Sequence, residues 1–250
     1  MSENLKQGIK SSRLKIVRAN RHIHELETII LEYPKIYKQQ GLTIISKSNG
    51  SVSLDIVDLN PLGDFICLAL GDAIHNLRSA LDHLWSTLMR EADVTSSKNL
   101  ATFPFHKTRK NLEDLIKKSP VIKAYPKVEQ LIFEKVKPHS DDVGNHFLWA
   151  LTKLDKLDKH NMIIPIFKVS KATGIEINMA GNNTISIGTF EGKSILETNM
   201  PFDFNHEGEV FLEVFFPEDN ELAGKPVLES MKMMTKMTEE VIEVFSSELV

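Results

Sequence analysis

Apolar residues recur every three or four positions over several long stretches of the chain, a spacing typical of amphipathic helices that bury one face. The predicted helices cover residues 4–31, 65–90, 112–118, 126–136 and 141–158 and the segment that opens at Pro226. Tyr33-Pro34 is expected to end the first of them, because proline lacks the backbone donor that a helix interior needs. The pattern predicts a mainly helical bundle.

Other stretches are rich in β-branched residues, which favours strands. The predicted strands cover residues 42–46, 52–57, 162–169, 174–179, 184–190, 194–198 and 210–216. Asn49-Gly50 lies between the first two and is typical of a hairpin turn. We therefore expect an α+β fold: a helical bundle over 1–161 with a β-hairpin inserted at 42–57, then antiparallel strands and a final helix over 162–250, integrated into one domain.

The composition is that of an ordinary globular protein of 250 residues with a formal net charge of -4. A net negative charge argues against nonspecific coating of nucleic acid, which needs many cationic contacts to phosphate. The first residues lack the apolar stretch of a signal peptide, and no window resembles a membrane span, so we expect a cytoplasmic protein without membrane contact. Cys67, in an apolar run, is expected to be a buried structural thiol.

The helix predicted over 65–90 concentrates the chemistry of the chain. Its turn at 65–70 is apolar all round, so we expect the helix to begin inside the protein. Further along, at about 100° per residue, one side is apolar and the other is polar. The polar side carries Asp72, His75, Asn76, Ser79, Asp82, His83, Ser86 and Arg90, with Arg78 at its border. Such crowding of histidine, aspartate and arginine favours proton transfer or a buried polar network.

The spacing of Arg78 and His83 resembles the Arg-x(4 to 6)-His motif of the HEPN superfamily, many of whose members are metal-independent ribonucleases. The string GDAIHNLRSALDHL at positions 71–84 is also similar to one in uncharacterised bacterial and phage proteins. The resemblance implies a HEPN-like bundle that forms a homodimer, acts on RNA in defence or as a toxin, needs no cofactor and can have a regulatory protein partner.

In that family the motif arginine and histidine attack RNA across the dimer interface. The resemblance therefore implies that His83 handles the proton of a ribose 2′-hydroxyl or of the leaving oxygen, while Arg78 stabilises the charge on phosphorus. The expected products carry a cyclic phosphate and a 5′-hydroxyl. Asp72, His75, Asn76, Ser79 and Asp82 would be supporting groups on the same face.

A second interpretation of the polar face of this helix involves no catalysis. Arg78 and His83 are about 140° apart on an ideal helix, and Ser79 stands where many catalytic HEPN motifs carry Asn, Asp or His. Arg78 could simply pair with Asp82, four residues on, as part of a network that braces the bundle. The alternative function is a non-catalytic binding protein whose polar face holds a partner or small ligand.

A further polar cluster is expected where the helix predicted over 141–158 ends. It contains Asp155, Asp158, His160 and Asn161, and it would approach the first cluster if the two helices pack side by side. Asp158 and His160 are therefore further supporting candidates. A metal site formed by His75, His83, Asp158 and His160 is a weaker alternative, because no HExxH or Cys/His spacing accompanies it; we predict no metal.

Overall fold

Helices and two antiparallel sheets form the α+β fold expected from the sequence. The computed structural model describes residues 2–36, 42–56, 63–92, 102–163, 165–179, 183–190 and 194–249. Its helices are α1 (Glu3–Ile36), α2 (Gly63–Glu91), α3 (Arg109–Lys117), α4 (Pro120–Ala124), α5 (Lys127–Gln130), which continues into a π-helical turn (Leu131–Val136), α6 (His146–Asp158) and α7 (Val227–Leu249).

The long helices α1 and α2 pack against each other in antiparallel orientation. Gly8 lies against Thr87 near the start of α1, whereas His22 approaches Asp72 a little past its middle. A methyl group at position 8 would come within 2.2 Å of the Thr87 hydroxyl, so glycine permits the close approach of the two helices. This packing places the polar residues of α2 beside those of α1.

Two helix boundaries differ markedly from the sequence prediction, and one short helix was not predicted. The first helix continues past Pro34 to Ile36, because proline near a helix end removes only one backbone donor. The helix predicted over 141–158 begins at His146, where the Asn145 side chain accepts a hydrogen bond from the Leu148 N–H and caps it. A short helix, α4, follows Ser119, whose hydroxyl accepts from the Val121 N–H.

The strands form two small sheets. They are β1 (Leu42–Ser46), β2 (Val52–Ile56), β3 (Ile166–Met179), β4 (Asn183–Phe190), β5 (Ser194–Thr198), β6 (Phe202–His206) and β7 (Val210–Phe215). The predicted hairpin is present, and β5 joins it in the order β1-β2-β5. The other sheet has the order β4-β3-β6, with β7 also paired to β3, and all these pairs are antiparallel.

Some strand predictions need correction. The two strands predicted over 162–169 and 174–179 are a single strand, β3, which begins at Ile166; Gly174, at a φ of 61°, lies within it where the backbone of Gly208 approaches. Strand β6 was missed altogether, although its burial alternates from Phe202 onward. Residue 57, predicted to end β2, lies outside the described residues.

The core has a large helical part and a small strand-rich part. The large part joins α1, α2, α6 and α7 and also takes in Val214 and Phe216. Leu54 of the hairpin packs with Ala172, Ile175, Ile177 and Phe202 in the small part. The hairpin thus shares a sheet and a core with the C-terminal strands. The division at residue 161 stays a prediction.

The surface of α2 differs from the expectation at its beginning. Phe65 and Leu68 are 64% and 57% exposed, so the prediction that the helix begins inside the protein is wrong. Only one side of that turn packs on the core, through Ile66, Ala69 and Leu70. Cys67 is buried, as predicted. None of the helices within the described ranges is long and apolar enough to cross a bilayer.

Candidate functional site

Arg78 and Asp82 together hold a loop segment against α2. The two side chains form an ion pair. Arg78 Nη2 also donates to the Phe103 carbonyl at 3.3 Å, and Asp82 Oδ1 accepts from the Phe103 N–H at 2.8 Å. Both backbone groups of one residue are therefore bound by one i,i+4 pair. We call Arg78, Asp82 and the Phe103 backbone the clamp.

The clamp lies beside aromatic packing. The Phe103 side chain is buried, with ring centroids 5.8 Å from Trp85 and 5.3 Å from Phe105, and the Arg78 guanidinium carbon lies 4.7 Å from the centroid of Phe105. A side chain as buried as that of Arg78, at 11% exposure, requires partners for its charge. The sequence-based alternative that Arg78 pairs with Asp82 is confirmed, and both residues have a structural role.

His83 faces α1 instead of the clamp. Its Nδ1 lies 2.7 Å from the Ser11 hydroxyl, and one turn further along α1 the Lys15 ammonium donates to the Asn76 amide oxygen at 3.4 Å. Asn76 in turn donates to the Asp72 carbonyl at 2.8 Å, which fixes its orientation. We call Ser11, Lys15, Asn76 and His83 the seam cluster, since it lies where α1 meets α2.

The surroundings of His83 favour a neutral imidazole. Its pKa lies below the ordinary value of 6.5, first because of burial and then because of the nearby cations Lys15 and Arg90, with Asp82 acting in the opposite direction. Burial and like charge both disfavour a proton on the ring. At neutral pH His83 is therefore a proton acceptor next to two cations.

His75 faces the other way, toward α6. Its Nδ1 lies 3.1 Å from Asp155 Oδ1, and its Nε2 lies 3.4 Å from the Ser79 hydroxyl. Asp155 is buried, and its second oxygen accepts from the Lys159 ammonium at 2.6 Å. We call Ser79, His75 and Asp155 the Ser-His-Asp group. The helix that carries Asp155 packs beside α2, which is the condition under which the second cluster was expected to approach the first.

Asp158 and His160 differ in how close they come to α2. The Asp158 carboxylate sits directly over Gly71, where a methyl group would be only 2.6 Å from its oxygens. Burial raises the pKa of Asp158, as do the negative charges of Asp155 and Asp72, while a hydrogen bond from the Ile163 N–H acts in the opposite direction. His160 is exposed where α6 ends, and its side chain forms no hydrogen bond or ion pair with the polar residues of α2 that the structure describes.

The alternative metal site is not assembled. Within the part of the chain that the structure describes, no group of three or more His, Cys, Asp or Glu side chains is placed to hold a metal ion. His75 and His83 are engaged with different helices, which explains why the four residues suggested for that site do not converge. We derive no metal chemistry from this face.

Sequence reasoning missed the contribution of α1. Ser11 and Lys15 were not among the candidate residues, yet they are the neighbours of His83 and Asn76. A signal was available: Gly8, Ser12 and Ala19 are small residues spaced by four and then seven positions, so they share one face of α1 and let a second helix approach. Asp155 was named in the second cluster but not among the site residues.

Comparisons with protein-family models, with curated proteins and with solved structures found no match to this chain. The function is therefore argued from the site alone.

Proposed function

We propose that the protein is a metal-independent endoribonuclease whose acid–base residue is His83. The observation that carries this proposal is the half-buried imidazole of His83, hydrogen-bonded to Ser11 and close to Lys15 and Arg90, surroundings that lower its pKa. A neutral imidazole can accept the proton of a ribose 2′-hydroxyl, and the cations can attract the neighbouring phosphate. RNA carries its own nucleophile, so no metal is needed for this reaction.

The reaction proceeds by internal attack. His83 takes the proton as the 2′-oxygen bonds to phosphorus, and the bond from phosphorus to the 5′-oxygen breaks. The leaving oxygen takes up a proton from solvent water and protonated His83 returns its own to solvent, which gives a 2′,3′-cyclic phosphate and a 5′-hydroxyl. Lys15 replaces Arg78 as the phosphate-facing cation in this proposal, because Arg78 is bound to Asp82 and Phe103. Two copies of the chain would each supply one such face in a homodimer.

The test is RNA cleavage in excess chelator by wild-type protein and by His83→Ala. We expect cleavage by the wild type and a loss of at least about 100-fold in the variant, the usual contribution of a general base. His24→Ala is the matched control, since the His24 side chain is 82% exposed on α1. This variant should cleave RNA like the wild type. Circular dichroism verifies that all three proteins are folded.

The pH profile adds a second readout. A base must be neutral to act, so the rate should rise with pH, with the midpoint of the rise below the ordinary histidine value of 6.5, in line with the lowered pKa of His83. Wild-type protein that cleaves no RNA, or a folded His83→Ala variant that cleaves at the wild-type rate, would contradict the proposal.

One observation favours a second candidate, a binding protein without catalysis. In the HEPN-like motif the arginine is expected to contact phosphate, yet here the Arg78 guanidinium is used by the clamp. The same polar face would then hold an anionic ligand through Lys15 and Arg90. Retention of labelled RNA by wild-type protein without any cleavage, weakened in Lys15→Ala, would support this second function.

A further inference from the structure

The three side chains of the Ser-His-Asp group are hydrogen-bonded in the order that activates a serine. We propose that Ser79 is a nucleophile that accepts an acyl group from small activated esters, with His75 as its base and Asp155 as the residue that orients the base. This activity is separate from the proposed RNA chemistry, which uses His83.

Asp155 determines which ring nitrogen of His75 carries the proton. An ionised carboxylate only accepts hydrogen bonds, so His75 Nδ1, 3.1 Å from Asp155 Oδ1, must be the donor. The other nitrogen, Nε2, is then the acceptor, and it faces the Ser79 hydroxyl at 3.4 Å. The Lys159 ammonium donates to the second carboxylate oxygen at 2.6 Å and so holds the carboxylate in position.

The origin of the third residue distinguishes the group from an ordinary pair on a helix. Serine and histidine four residues apart on one helix touch frequently, whatever their function. Asp155, however, belongs to α6, lies 80 positions away in the chain and is 5% exposed, so tertiary packing delivers a buried carboxylate to the far side of the imidazole. A nucleophile, a base and a group that orients the base are the elements of nucleophilic catalysis.

The group is also open to substrate. The side chain of His75 is 50% exposed and Ser79 is half-buried, so a small ester can reach both from solvent.

The proposed reaction has two steps, acylation of Ser79 and hydrolysis of the acyl-serine. The Ser79 oxygen bonds to the ester carbonyl carbon while its proton moves to His75 Nε2. The bond to the leaving alcohol breaks, and the alcohol oxygen takes that proton. Water, deprotonated by His75, then attacks the acyl-serine, releases the carboxylic acid and restores the Ser79 hydroxyl. Asp155 stays ionised throughout and holds the imidazolium.

The first test is covalent labelling of full-length protein with an alkyl fluorophosphonate, followed by intact mass and peptide mapping. We expect one adduct, on Ser79, and none in Ser79→Ala. Ser86→Ala is the matched control, since Ser86 is another half-buried serine on the same helix, and it should label like the wild type.

A second measurement tests the role of the other two residues. His75→Gln and Asp155→Asn should lower the rate of Ser79 labelling, and the release of 4-nitrophenol from 4-nitrophenyl butyrate, by at least about 100-fold. Absence of a wild-type adduct, an adduct elsewhere, or labelling of Ser79 that is as fast in folded His75→Gln as in the wild type overturns the proposal. Because the RNA assay depends on His83 and this one on Ser79, either proposal can fail alone.

Discussion

The clamp and the seam cluster occupy two sides of the same helix, and the same polar face of the sequence supplies both. In the clamp, a charged pair that is 11% and 27% exposed is bound to both backbone groups of Phe103. In the seam cluster, a neutral imidazole meets one hydroxyl of α1, with cations nearby. One side is built from a buried ion pair, and the other from a proton acceptor whose nearby cations, Lys15 and Arg90, donate to the neutral side chains of Asn76 and Thr87.

This difference separates structural from functional candidates on one helix. A buried charge is stable only when its partners are complete, so Arg78 and Asp82 have little capacity left for a ligand. The half-buried His83 loses much less stabilising energy when it exchanges its hydrogen bond to the Ser11 hydroxyl for one to a substrate hydroxyl. Arg78 and His83 belong to the same motif, so position in the motif does not distinguish them. The contacts that each side chain makes in the folded chain do.

Removal of Asp82 should have the largest effect on stability. In Asp82→Ala the Arg78 charge remains buried without its carboxylate, and the Phe103 N–H loses its acceptor. We expect a loss of about 3 kcal/mol in the free energy of unfolding, measured by urea denaturation.

Glu113→Ala is the control for this measurement. Glu113 forms the same i,i+4 ion pair with Arg109, but the two side chains are 40% and 36% exposed, so its loss should cost less than about 1 kcal/mol. If Asp82→Ala were no more destabilising than Glu113→Ala, the clamp would be a surface ion pair and the comparison of the two sides would fail.

Much of the fold was predictable because it follows from periodicity. The bounds of α2 differ from the prediction by only one or two residues, and the hairpin lies where Asn49-Gly50 indicated. Strand β6 was missed because Phe202 and Phe204 alternate over just five residues, which is too short a run to stand out. The exposure of Phe65 was not predictable either, since composition does not indicate which side of an apolar turn is covered.

The site was less predictable than the fold. The ion pair of Arg78 and Asp82 follows from helix geometry. Its backbone partner, Phe103, lies 25 positions from Arg78 and 21 from Asp82, in a segment whose path no local sequence pattern specifies. The neighbours of His83 depend on which residues of α1 lie opposite it when α1 packs against α2, and no local pattern specifies that alignment. The sequence therefore indicated the helix face but not which residues on it are bound to the scaffold.

A double-mutant cycle sharpens the comparison with a smaller effect. Ser11 and His83 share one neutral hydrogen bond at 2.7 Å in a half-buried position. We expect Ser11→Ala and His83→Ala to couple by about 1 kcal/mol in the free energy of unfolding, the usual contribution of such a bond. The cycle for Arg78→Ala and Asp82→Ala, measured in the same way, should give a clearly larger coupling. Equal couplings would mean that burial does not distinguish the two sides.

The smallest expected effect is a dependence of stability on pH that belongs to His83. Its pKa is 6.5 in the unfolded chain and lower in the folded one, so as pH falls below 6.5 the unfolded state binds protons first. The native state must then lose stability with falling pH, and His83→Gln should remove part of that loss. His139, whose pKa burial also lowers, is present in both proteins, so its contribution cancels in the difference. Urea midpoints are measured from pH 7.5 down to pH 5. A wild-type midpoint that falls more steeply with pH than that of His83→Gln supports a neutral imidazole in the seam cluster. Equal slopes would mean that the pKa of His83 is the same in the folded and the unfolded chain.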